Sequence, residues 1–107
     1  MIKLPANHSI SATNKNSQLK FRLEIEDPEI AAHFPNKPIV AAYIQMNWIE
    51  FLHFHTNAKP LKGLKGVKFT SQITPPCEVE INLDQSSLKF EIIVGKIIKT
   101  SGKLIDQ

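Results

Sequence analysis

The groups in this 107-residue chain with the means to do chemistry are four histidines, one cysteine and ten carboxylates. His53 and His55, taken with His33, raise the question of a metal. A spacing of two on a helix turns the pair to different faces. No nearby cysteine or acidic trio completes a ligand set, so neither a metal nor any other cofactor is expected. Cys77 is the single cysteine, which rules out an intrachain disulfide, and no motif marks it as a nucleophile. It reads as a packing residue, and a lone thiol fits a reducing compartment. Glu50 follows Asn47 by one helical turn on nearly the same face, although a helix carboxylate is more often solvated or ion-paired. His33, taken alone, serves equally well as a capping or packing residue of a loop. Lys62, Lys65 and Lys68 offer positive charge to an acidic partner, but such a run is usually solvated surface.

Composition narrows the classes. The length fits one domain, 1–107, and leaves no room for a second core. Residues 1–17 are polar and read as a loose N-terminal segment with room for one short strand. The net charge of +3 favours acidic partners in general. Nucleic acid is not expected, because the basic residues are spread out and Arg22 is the only arginine. The first twenty residues hold no apolar stretch of signal-peptide type. No later run reaches the length needed to span a bilayer, so a cytoplasmic protein without membrane contact is expected.

The elements that must position these groups follow from periodicity. Gln18–Glu26 alternates, with Leu19, Phe21, Leu23 and Ile25 on one face, as a half-buried strand does. Asp27-Pro28 ends it. His33-Phe34-Pro35-Asn36-Lys37-Pro38 is a constrained loop, with Pro38 placed where a helix can begin. One helix is expected from Ile39 to about His55, with Asn57 near its end. It is apolar almost all round, so it must be enclosed by a sheet and a partner subunit. Strands are expected at Gly63–Gln72, Glu78–Asp84, Leu88–Val94 and Ile97–Ile105, with turns at Ser86-Ser87 and Gly95-Lys96. Strand, helix and four strands define an α+β domain, an antiparallel sheet wrapped around one buried central helix.

The stretch His33-Phe34-Pro35-Asn36-Lys37-Pro38-Ile39-Val40 resembles the hot-dog-fold dehydratases that remove water from 3-hydroxyacyl groups on acyl carrier protein. Their loop reads His-Phe-Pro-Gly-x-Pro, then a Pro-Gly pair and the central helix. Gly66-Val67-Lys68-Phe69 and Ile73-Thr74-Pro75 are similar to the family's next strand and its Val-x-Pro-Gly turn. Gln45-Met46-Asn47-Trp48 resembles the Gln-Ile-Asp-Trp wording of a subgroup associated with aryl-polyene lipid pathways. The likeness covers about residues 18 to 105, and its one specific motif is the His-Phe-Pro-x-x-Pro loop.

The resemblance implies a base at His33, acting on the C2 proton of a 3-hydroxyacyl thioester. The family's acid, which handles the leaving hydroxyl, comes from the central helix of the other subunit, and its position, fourteen residues after the histidine, is Asn47 in this sequence. A backbone N–H at the helix start, here that of Ala42, polarises the thioester carbonyl. Phe34, Pro38, Ala41, Ala42 and Trp48 are the positions expected to border the acyl substrate. Three of the four special positions have changed: the acid to Asn47, the Pro-Gly pair to Ala41-Ala42, the loop glycine to Asn36. Asparagine hydrogen-bonds a hydroxyl but delivers no proton. Glu50 is the nearest substitute acid.

The expected function is that of a 3-hydroxyacyl-acyl-carrier-protein dehydratase, a lyase of fatty-acid-type biosynthesis, with its activity possible only if the altered positions are tolerated. The expected partners are acyl carrier protein and a second hot-dog subunit, in a homodimer or heterodimer. Two alternatives stay open: a non-catalytic acyl-binding or partner subunit, and a hot-dog thioesterase with Glu50 as its only candidate carboxylate.

Overall fold

The computed structural model of the chain describes residues 8–13, 15–24, 40, 42–57 and 61–105. Within them lie six strands and one helix, in the order β1 (Ser9–Ala12), β2 (Asn16–Leu23), α1 (Ala42–Asn57), β3 (Gly63–Phe69), β4 (Cys77–Asp84), β5 (Lys89–Val94) and β6 (Ile97–Ile105). All six strands join one antiparallel sheet in the order β1-β2-β4-β5-β6-β3. The alternating residues of β2, β4 and β5 put Leu19, Phe21, Leu23, Val79, Ile81, Leu83, Phe90 and Ile92 on the face that α1 covers. Period two has one physical consequence here: every second side chain enters the core and the rest meet solvent.

The turns carry their own chemistry. Gly95 and Lys96 both have positive φ, at 58° and 66°, as a two-residue hairpin turn that follows the strand twist requires. Between β4 and β5 the Asp84 carboxylate accepts the N–H groups of Ser86 and Ser87 at 2.8 and 3.1 Å. Those bonds hold its pKa below the usual carboxylate value.

Two irregularities shape the β6 side of the sheet. In β3 the register shifts between Lys65 and Lys68, with Gly66 at φ 62°. This is a bulge with a left-handed glycine, and its extra residue moves Lys68 to the face that Lys65 occupies. On β6, Ile92 pairs with Thr100 but Ile93 pairs with Ile98, so Lys99 is the extra residue. Its carbonyl accepts the N–H groups of Thr70 and Ser71.

Most boundaries expected from periodicity hold to within a few residues, and β6 begins and ends as expected. The strand expected to run on to Glu26 leaves the sheet after Leu23, and Ile25 and Glu26 lie outside the described residues. β3 stops at Phe69 rather than Gln72, because the next two N–H groups are drawn to the Lys99 bulge. The helix begins at Ala42 rather than Ile39. Val40 is not helical, since its N–H donates to the carbonyl of Ile73 at 3.0 Å, across the chain. Strand β1 falls inside the polar N-terminal stretch and forms one edge of the sheet.

Candidate functional site

Helix α1 has two unlike faces. Ile44, Gln45, Trp48, Ile49, Leu52 and His53 are buried against the sheet. The spacing i, i+1, i+4, i+5 is that of a stripe on one side of a helix. Tyr43, Asn47, Glu50 and Phe54 follow a second stripe of the same period on the far side. Asn47 is half-buried, Glu50 is exposed, and Phe54 is 55% exposed. A helix expected to be enclosed on every side is therefore covered, among the described residues, on one side only. Tyr43, Phe54, Phe69, Ile97 and Ile98 remain as exposed large apolar side chains.

The site residues named from the sequence divide accordingly. Asn47 and Glu50 stand on the open face, one turn apart. Ala42 is exposed and is the first residue of the helix, where N–H groups have no intrahelical partner. Trp48 lies on the sheet side, 2% exposed, and meets Phe21 edge to face with ring centroids 4.9 Å apart. It is part of the core. Phe51, half-buried, stacks on His55 at 5.9 Å and takes His8 edge-on at 5.9 Å. His33, Phe34, Pro38 and Ala41 lie outside the described residues.

His53 and His55 do face different ways, one buried and one exposed. The Nδ1 atom of His53 lies 3.1 Å from the Asn57 amide. Burial pushes the Cys77 thiol up, which keeps it protonated at neutral pH and suits a packing residue.

Sequence reasoning overlooked Gln45. Its side chain is 3% exposed, accepts a hydrogen bond from the Thr100 hydroxyl, and donates to the Val40 carbonyl at 3.4 Å. The available signals were an amide inside a mostly apolar helical stripe and its place in the Gln45-Met46-Asn47-Trp48 stretch.

A cavity of about 810 Å³ lies elsewhere. It is an open depression on the outer face of the sheet, lined by Lys65, Lys68, Lys89 and Lys103 among others. Lys65, Lys103 and Lys89 are register partners across three neighbouring strands. Two of the three lysines singled out in the sequence, Lys65 and Lys68, thus gain Lys89 and Lys103, which only the pairing reveals, while Lys62 precedes β3.

One helix laid on a six-stranded antiparallel sheet is the arrangement of the hot-dog fold. The ApeI-like family, described as ApeI dehydratase, matches residues 9–103. The chain belongs to that family. Its fold is similar to that of the dehydratase heterocomplex ApeI:P from Xenorhabdus doucetiae, with a TM-score of 0.77, 14% identity, and coverage of 97% of this chain and 96% of that one. It is also similar to an uncharacterized protein from Erwinia carotovora subsp. atroseptica, with a TM-score of 0.64, 16% identity, and coverage of 91% and 89%. No curated protein matches the sequence significantly. No helix among the described residues is long and apolar enough to cross a membrane, which leaves strand-built spans unaddressed.

Proposed function

We propose that this chain is a subunit of a 3-hydroxyacyl-thioester dehydratase. Its substrate is an acyl chain held on acyl carrier protein, and it works beside a second hot-dog subunit. The observation that carries the reading is the open face of α1, where Asn47 and Glu50 stand one turn apart on the helix that begins at the exposed Ala42.

The chemistry asks for three things. A base removes the C2 proton, a group near C3 protonates the departing hydroxyl, and N–H donors hold the oxyanion that gathers on the thioester oxygen. The products are a 2-enoyl thioester and water. In this reading His33 is the base and the Ala42 N–H holds the carbonyl. Reaching across the seam to the other subunit's site, Asn47 hydrogen-bonds the C3 hydroxyl, and Glu50 supplies the proton that an amide lacks. The second subunit covers Tyr43 and Phe54 and walls the acyl chain off from water. The ApeI:P heterocomplex supports a related rather than an identical partner.

A second reading is favoured by Asn47 itself. With an amide at the position of the family's acid, the chain serves as a non-catalytic partner that binds the acyl group or completes an active homologue.

Hydration of crotonyl and longer 2-enoyl thioesters separates the two. Turnover by the native protein, abolished in His33→Ala and reduced at least about tenfold in Glu50→Gln, supports the first reading. An inert native protein that gains activity as Asn47→Asp supports the second. Full activity of Glu50→Gln removes Glu50 from the mechanism.

A further inference from the structure

We propose that Gln45 is a positioning residue whose buried amide ties strand β6 to the backbone entering α1, and so sets where the helix-start N–H groups stand. The inference deepens the reading above and rests on it, since there this corner receives the thioester carbonyl.

Gln45 occupies the sheet-facing stripe among Ile44, Trp48, Ile49 and Leu52. An apolar side chain of similar length would fill that volume without the desolvation cost of an amide. The amide sits in a place where both of its ends find partners. Thr100, fully buried on β6, donates its hydroxyl proton to the Gln45 Oε1. The Gln45 Nε2 donates to the Val40 carbonyl. The orientation is forced, because a carbonyl only accepts and so must face the NH2 end.

Val40 is then held at both of its backbone polar groups. Its N–H goes to the Ile73 carbonyl, in the segment that leads into β4, and its carbonyl goes to Gln45. Val40 is thus tied directly to α1 and to the β3–β4 connection, and through Gln45 to Thr100 on β6. Val40 stands two residues before Ala42, so its placement limits where the first turn of α1 begins. Thr100 lies next to the Lys99 bulge, and such bulges re-aim side chains in a sheet. Displacing oxyanion donors by about 1 Å is enough to cost a large part of the rate. Gln45 touches no reacting atom in this reading. It acts through Val40.

The test uses Gln45→Met, which keeps length and removes the amide, together with Thr100→Val and Thr100→Ser. Amide exchange followed by NMR is the deciding readout. Val40 is expected to exchange at least about tenfold faster in Gln45→Met and Thr100→Val, with Ile81 in the core unchanged and Thr100→Ser close to native. An unaltered Val40, or equal acceleration of Val40 and Ile81, overturns the proposal. Should Gln45→Met fail to fold, Thr100→Val carries the same comparison.

Enoyl-thioester hydration then reads the consequence. A kcat lowered about tenfold with KM within about twofold of native, restored in Thr100→Ser, is the expected result. Native kcat alongside a loosened Val40 overturns the positioning role. A native protein inert in hydration refutes the dehydratase reading instead, and the exchange measurement still decides whether Gln45 fixes the corner.

Discussion

The two faces of α1 are built from similar residues and end in opposite situations. Leu52 is fully buried against the sheet, while Phe54, two positions on, is 55% exposed. Hydrophobicity alone does not separate them. What separates them is that one sheet of six strands has a single concave side, so it finishes one stripe of the helix and leaves the other. The finished side is closely packed and carries the fold. The open side carries the polar pair Asn47 and Glu50, and in the proposed function it waits for a second subunit.

Truncation on each side is the most direct way to break this comparison. Leu52→Ala is expected to cost about 2–5 kcal/mol in urea unfolding, from lost burial and the cavity left behind. Phe54→Ala should stay within about 0.5 kcal/mol for the isolated chain, as surface changes do. Equal losses at the two positions would mean that the open face is enclosed after all.

The closed side can be sharpened at Gly102. A Cβ placed there would meet the Phe90 ring at 2.8 Å and the Val67 side chain at 3.1 Å. Gly102→Ala is expected to cost about 1–3 kcal/mol by overpacking. Gly66→Ala tests a different cause, since nothing lies within 4 Å of a Cβ there but φ is 62°. Its cost should be about 1–2 kcal/mol from backbone strain alone. Thermal midpoints of the two variants measure both.

Polar residues away from the helix provide the contrast for Asn47 and Glu50. Asp84 is exposed, and its folded pKa is depressed by the Ser87 and Ser86 N–H bonds. A depressed carboxylate contributes stability above its unfolded value, near 3.8, and that contribution is lost as pH falls through the lower folded value. Asp84→Asn should therefore flatten the fall in midpoint between about pH 5 and pH 2. An unchanged slope would show that the turn does not feel the charge.

The smallest effect belongs to the lysine row on the outer face. Lys103 faces Lys65 on one side and Lys89 on the other, and like charges directly opposite destabilise a sheet. Lys103→Gln should raise stability by a few tenths of a kcal/mol, about 0.2–0.5, at low salt. The gain should fade near 1 M salt, where screening is strong. Loss of stability in Lys103→Gln would mean that the side chain's stem packs more than its charge repels.

Much of the scaffold was legible. The alternation in β4 and β5 and the Gly95-Lys96 turn come straight from period two and from the residues a tight hairpin accepts. The helix was legible as a helix, but its start was not, because nothing local reveals that Val40 pairs its N–H with Ile73. Of the candidate site, Asn47 and Glu50 were correctly placed together by helical spacing. Trp48 was grouped with the substrate positions, whereas its place against Phe21 is a matter of which stripe the sheet covers. Gln45 was passed over, since an amide in an apolar helix declares its role only through its partners.

By itself the sequence determined the period of each element and carried, at His33 to Pro38, the resemblance from which the reading of Asn47 follows. These are properties of neighbouring residues along the chain. Tertiary structure alone decided the strand order, the two bulges, the lysine row, and the anchoring of Val40 by Gln45 and Ile73. Each of those joins residues far apart in sequence, and their meeting depends on how the sheet closes over one side of the helix.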